Sequence, residues 1–162
     1  MKIMFVCHGN ICRSTMAEFV MKHIVKEQGR DSDFIIDSTA TSLEEIGNDT
    51  HPGTKQKLRE EGIPFSRRAA RRITRSDCEN NDLIIAMDYE NLWGLNRLFG
   101  NDYKEKIHLL LEYAPEYTGG HIPYNGGSIK EIADPWYTGN FDETFSDIWA
   151  GCTGLFYKLT SD

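Results

Sequence analysis

The sequence contains no uninterrupted apolar stretch near the roughly 18 residues needed to cross a bilayer. Its apolar start, residues 3–6, is too short for a signal-peptide core. The expectation is a cytoplasmic protein that engages no membrane. Cysteine is scarce. Cys7, Cys12, Cys78 and Cys152 are irregularly spaced along 162 residues, unlike a secreted disulfide framework and consistent with free thiols in a reducing compartment. Basic side chains are outnumbered, 18 against 25 acidic, and the net charge of -7 argues against general affinity for nucleic acid or anionic membranes. Any anion must be held by a local site. Metal-ligand spacing is also lacking: His8, His23, His51, His108 and His121 form no paired motif, and Cys7 and Cys12 are too far apart for the usual zinc pattern. No repeat of solenoid period and no low-complexity linker divides the chain.

What is present fits one globular domain over residues 1–162, with 40% apolar and 27% charged residues. A compact fold of this size buries about 68 to 70% of the surface its unfolded chain exposes, enough for a core without disulfides or structural metal. Apolar runs of strand length, residues 2–6, 34–37, 83–87 and 107–111, alternate with amphipathic stretches at 14–28, 54–61, 89–99 and 142–158. That alternation predicts α/β architecture: an open doubly wound sheet of four parallel strands with helices on both faces. The order expected for it is flavodoxin-like, 2-1-3-4. The run at 83–87 is the most apolar and belongs centrally. Ligands of such sheets bind outside the carboxyl ends of the strands, which points at loops 7–13, 38–48 and 87 onward. Segment 113–127, rich in Gly, Pro and Tyr, reads as an insertion that modifies the rim of the cleft.

Loop 7–13 leaves a strand and enters a helix, so backbone N–H groups and a helix N-terminus converge on one small volume suited to an anion. Gly9 permits the tight path, and Asn10 tolerates a left-handed conformation. Arg13 adds a planar fork of donors matched to phosphate oxygens. The donors that would hold a phosphate also favour the thiolate of Cys7, and Ser14 can donate a further hydrogen bond to that sulfur. Such a thiolate attacks phosphorus, giving a cysteinyl-phosphate that water hydrolyses. A plainer alternative makes Cys7 a buried strand end and Arg13 a helix cap.

The run Val6-Cys7-x-Gly9-Asn10-Ile11-Cys12-Arg13-Ser14, then Met16-Ala17-Glu18, resembles the phosphate loop and following helix of the low-molecular-weight protein tyrosine phosphatases. Further similar pieces are Asp37-Ser38, Glu45-Ile46-Gly47-Asn48, Gly62-Ile63-Pro64, Met87-Asp88 with Asn91-Leu92, and Asp134-Pro135 with Trp136-Tyr137. The resemblance implies a phosphotyrosine phosphatase with Cys7 as nucleophile, Arg13 binding phosphate and stabilising the transition state, and Asp134 as general acid. The phosphate-binding residues would be His8, Gly9, Asn10, Ile11, Cys12, Arg13 and Ser14. Asn10, Ser14 and Ser38 would brace the loop, and Ile11, Glu44, Trp136 and Tyr137 would form the substrate rim. Cys12 would trap oxidised Cys7 as a reversible disulfide. The implied partners are a phosphotyrosine protein or peptide and inorganic phosphate; the chemistry requires no metal or organic cofactor.

The chain departs from the family pattern at several positions. Thr15 stands where proline is common, with little expected effect. Glu44 stands where an aromatic residue is frequent. Where a histidine commonly joins the bracing network, the chain has the Arg67-Arg68-Ala69-Ala70-Arg71-Arg72 cluster, expected to be a solvated face. Rival readings are an arginine phosphatase, against which Ile11 stands where that activity tends to have threonine, and an arsenate reductase, for which only Cys78 lies mid-chain. A non-catalytic phosphate-binding module is the third.

Overall fold

The computed structural model describes residues 1–114 and 129–161. Strand β1 (Lys2–Cys7) turns through a loop into α1 (Arg13–Glu27). There follow β2 (Ile35–Ala40), α2 (Pro52–Glu60), α3 (Arg75–Asn80), β3 (Leu83–Ala86), α4 (Tyr89–Phe99) and β4 (Ile107–Leu109). Helices α5 (Pro135–Thr138) and α6 (Phe141–Thr160) come last. Every strand pair is parallel, in the order β2-β1-β3-β4. This is the doubly wound sheet that the sequence pattern predicts.

The apolar runs are continuous because the inner strands are covered on both sides. Ile3, Met4, Phe5 and Val6 are all buried, although successive strand side chains point to opposite faces. Ile84, Ile85 and Ala86 of β3 are likewise buried. Helix α1 packs against α6 and against β1 and β2, while α4 packs against β3. The register sets Cys7 opposite Ala40, and Val6 opposite Ala86. The carboxyl ends of three strands therefore lie side by side, and the loops that leave them share one edge of the sheet. No helix among the described residues is long and apolar enough to cross a membrane.

Several boundaries differ from the sequence expectation for identifiable reasons. β2 runs on to Ala40 because Ser38, Thr39 and Ala40 continue the ladder beside Phe5, Val6 and Cys7; these small residues carry no apolar signal. β4 ends at Leu109, where Leu110–Tyr113 closes into a 3-10 turn. The six-residue α3 lacks a full apolar period and is held at its start by a capping box between Thr74 and Asp77. Helix α5 is a single turn with Asp134 as its N-cap and Pro135 in its first turn. Segment 113–127, expected at the cleft rim, lies outside the described residues except for its first two positions. Tyr113 is half-buried, and burial, followed by the Glu112 carboxylate, pushes its phenol up to about 12.

The turn at Leu110–Tyr113 sits directly on α6. Glycine is required at the contact: a Cβ added to Gly154 would lie 1.8 Å from the carbonyl oxygen of Tyr113. Backbone on both sides cannot yield cheaply. Gly154→Ala is therefore expected to destabilise the fold by about 3 kcal/mol or more, lowering the urea midpoint at unchanged m-value. A midpoint equal to that of the parent would show that the helix and turn can separate freely.

Candidate active site

The loop between β1 and α1 carries the chain's one non-glycine residue with positive φ among the described residues, Asn10 at 60°. Asparagine reaches this left-handed region more readily than most side chains, and here it is fully buried and bonded throughout. Its backbone N–H donates to Cys7 Sγ at 3.3 Å. Its side-chain amide donates to Ser14 Oγ at 2.8 Å and to Ser38 Oγ at 3.0 Å. The Cys7 thiol donates to Ser14 Oγ at 3.1 Å; once the sulfur is ionised, the Ser14 hydroxyl hydrogen can turn to it, since Ser14 Oγ also accepts from Asn10. The sulfur thus lies among donors at the mouth of a helix whose first amides lack intrahelical partners.

The bracing network continues through residues that carry no local sign of it. Ser38 Oγ donates to Glu18 Oε1 at 2.6 Å, and Glu18 also takes Lys22 Nζ at 2.7 Å. Arg68 donates to both Oδ1 and O of Asn10, at 3.0 and 3.3 Å, and to Ser38 O at 3.0 Å. Its Nε lies 3.5 Å from Glu18. The expected solvated arginine face holds for Arg67 and Arg72, which are exposed, and is corrected at Arg68. The Arg68 side chain is only 12% exposed, because β1, β2 and the 66–72 segment meet beside the loop and the guanidinium fills the space with five directional donors. Arg71 is also engaged, with Asp37 and Asp77.

Arg13 is held as firmly. Its Nη1 donates to Asp88 Oδ2 at 2.6 Å and to Ile132 O at 2.8 Å, while Nη2 reaches Asp134 Oδ2 at 3.4 Å. Burial opposes its charge, yet the charges of Cys7, Asp88 and Asp134 hold the guanidinium above its ordinary value. Asp88 does two jobs, since its Oδ1 caps α4 through Asn91 N at 2.8 Å. Asp134 has the same economy. Its Oδ1 accepts from Trp136 N at 3.0 Å, capping α5, and its other oxygen faces Arg13.

One cleft gathers these groups. Cys7, His8, Gly9, Ile11, Cys12, Arg13, Glu44, Glu45, Asp134, Trp136 and Tyr137 line it. The expected contact and rim residues are thus brought together, and Asn10, Ser14 and Ser38 lie buried behind them. Cys12 is buried beside Cys7, and burial, then the negative charges of Cys7 and Asp134, push its thiol up to about 12. Cys12 therefore stays protonated at neutral pH. No three His, Cys, Asp or Glu side chains among the described residues converge as a metal site.

Asp88, Glu18, Arg68 and His51 join the site through contacts that no local pattern in the sequence signals. His51 joins two loops: its N–H donates to Ile11 O at 2.8 Å, and its ring contacts Trp136 edge-on and stacks on Phe141. The Asp88-x-x-Asn91 spacing was a visible cap signal, but nothing in it named Arg13.

The model of the family described as low molecular weight phosphotyrosine protein phosphatase matches residues 2–162. Among curated relatives, the low molecular weight protein-tyrosine-phosphatase YfkJ of Bacillus subtilis is 35% identical over 160 residues, covering 99% of this chain and 96% of that one. The human low molecular weight phosphotyrosine protein phosphatase is 38% identical over 152 residues, covering 93% and 87%. The crystal structure of YfkJ superposes with a TM-score of 0.88 over 100% of this chain and 97% of that one, at 34% identity. The Drosophila arginine phosphatase DARP shares the fold, with a TM-score of 0.84 at 27% identity over 100% and 99% of the two chains. With the family model spanning nearly its full length and relatives this similar, the chain belongs to the low molecular weight phosphotyrosine protein phosphatase family.

Proposed function

We propose that Cys7, Arg13 and Asp134 carry out the hydrolysis of phosphotyrosine in this chain through a cysteinyl-phosphate intermediate. The observation that carries the assignment is the meeting of sulfur, guanidinium and carboxyl group in one cleft, with the Asn10 amide and the Ser14 hydroxyl on the sulfur. The substrate dianion sits in the loop against Arg13, and the Cys7 thiolate attacks phosphorus opposite the phenolic oxygen. As the P–O bond breaks, Asp134 gives its proton to the departing phenolate. Water then attacks the cysteinyl-phosphate, Asp134 takes back a proton, and the P–S electron pair returns to sulfur. Ser14 eases that departure by donating to the sulfur. Inorganic phosphate leaves.

Arg13 is pre-positioned for this work by Asp88 and the Ile132 carbonyl, so its donors need no reorganisation as charge develops on the equatorial oxygens. Membership of the family makes the substrates phosphoproteins; phosphotyrosine is favoured over phosphoarginine by the apolar Ile11 side chain on the cleft wall. Rates on matched phosphotyrosine, phosphoserine and phosphoarginine peptides test the choice, with phosphotyrosine expected to be fastest. A faster phosphoarginine substrate would transfer the assignment to the activity named for the Drosophila neighbour. We place the protein in the cytoplasm, a reading supported by four free, buried thiols.

Arg68 is assigned the holding of Asn10. Arg68→Ala removes hydrogen bonds from a charged donor to buried acceptors, each worth about 1.5 to 3 kcal/mol. The expected result is a drop in kcat/KM of roughly tenfold or more, with Arg68→Lys recovering little because an ammonium cannot span Asn10 and Ser38 together. Unchanged kinetics in both variants would remove Arg68 from the network.

A further inference from the structure

The loop that follows β2 turns two kinds of side chain in opposite directions. Glu44 and Glu45 line the active-site cleft. Leu43 and Ile46 instead line a separate groove with Arg71, Arg72 and Arg75. Positive charge near this loop is therefore directed away from the cleft. Among the described residues that line the cleft, the one lysine or arginine is Arg13, engaged by Asp88 and Asp134. The mouth is acidic.

Glu44 is the exposed member of this wall. Its side chain is 69% accessible, and its carboxylate touches His8 Nε2 at 2.9 Å with no lysine or arginine partner among the described residues. The backbone holds it in place: Glu44 N donates to Ser42 Oγ, and Ser42 donates through both N and Oγ to His8 O. Trp136 and Tyr137, which are 55% and 81% exposed, line the same cleft. A tyrosyl phosphate with its phosphorus at Cys7 must carry its neighbouring residues past this mouth, near the Glu44 carboxylate and the two aromatic side chains. An ammonium or guanidinium there is attracted by the carboxylate through ion pairing and by the rings through the aromatic quadrupole. A carboxylate there meets Glu44 and Glu45.

We propose that Glu44 is a specificity-determining residue that directs this phosphatase to phosphotyrosines flanked by lysine or arginine. The proposal rests on the phosphotyrosine reading of the same cleft and narrows its substrate class. The contact is solvent-exposed, so the selectivity is modest, about threefold to fivefold in kcat/KM, and it weakens as salt screens the mouth.

The test uses the full chain and three phosphotyrosine peptides that differ only in the residues on either side of the phosphotyrosine: lysine, alanine or glutamate. The parent is expected to rank them lysine, alanine, glutamate. Glu44→Gln is expected to compress the ranking, and Glu44→Lys to invert the order of the lysine and glutamate peptides. The readout is the ratio of kcat/KM values within each enzyme, which a general loss of activity does not move. Equal kcat/KM on all three peptides in the parent, with hydrolysis of p-nitrophenyl phosphate retained, would overturn the rim proposal and leave the phosphatase reading intact. A ranking that persists unchanged in both variants would also overturn the assignment to Glu44. Failure to hydrolyse either p-nitrophenyl phosphate or the peptides would contradict both readings.

Discussion

Cys7→Ser is expected to abolish turnover of aryl phosphates, by roughly 10,000-fold or more, while inorganic phosphate and vanadate still bind. Both halves follow from the geometry. A serine hydroxyl is not ionised at neutral pH, so replacing sulfur with oxygen removes the attacking anion. The phosphate-binding parts do not depend on the sulfur: Asn10 is held by Ser14, Ser38 and Arg68, and Arg13 by Asp88 and the Ile132 carbonyl. Steady-state rates together with a calorimetric phosphate titration separate the two effects. A variant that lost phosphate binding along with turnover would show that the sulfur organises the loop rather than attacking from it.

Asp134→Asn is the second large effect. The amide keeps an oxygen for the Trp136 N–H, so the cap of α5 survives, but it has no proton to give a departing phenolate. Positioned proton transfer is typically worth about 100 to 10,000-fold. The loss in kcat is expected to fall within that range for phenyl phosphate and phosphotyrosine, and to be much smaller for substrates whose phenol is already acidic. A plot of rate against leaving-group pKa should therefore steepen in the variant. Equal losses on good and poor leaving groups would take the acid role away from Asp134 and leave it as a cap and a partner for Arg13.

Legibility in the sequence followed distance along the chain. Strand β1, its loop and the start of α1 were readable because the residues that cradle the anion are consecutive and the apolar pattern changes period across them. The parallel sheet is readable from strands and helices that alternate at crossover length, an alternation that does not by itself dictate the order of the strands. Asp134 was different: one carboxylate among 25 acidic residues, it was singled out only through family resemblance, because its neighbourhood with Arg13 is made by the fold across 121 positions. Arg68 shows the converse. Its residue type, in an arginine-rich run, suggested solvent, whereas its contact with Asn10, 58 positions away, is created by the packing of the 66–72 segment beside the loop. Asp88 and Glu18 were hidden in the same way. Each also has a local explanation, a helix cap for one and an ion pair with Lys22 for the other, and local explanations satisfied the pattern before the long-range contact could be seen.

The account depends on a covalent bond between Cys7 sulfur and phosphorus during turnover. A denaturing quench of the enzyme mixed with a rapidly hydrolysed aryl phosphate, followed by mass analysis of the proteolytic peptides, measures that bond directly. The prediction is one phosphoryl group on the peptide that contains Cys7, placed on the sulfur by fragmentation and absent from Cys7→Ser. A phosphoryl group on His8 or Ser14, or full turnover with no phosphorylated peptide at any quench time, would contradict it.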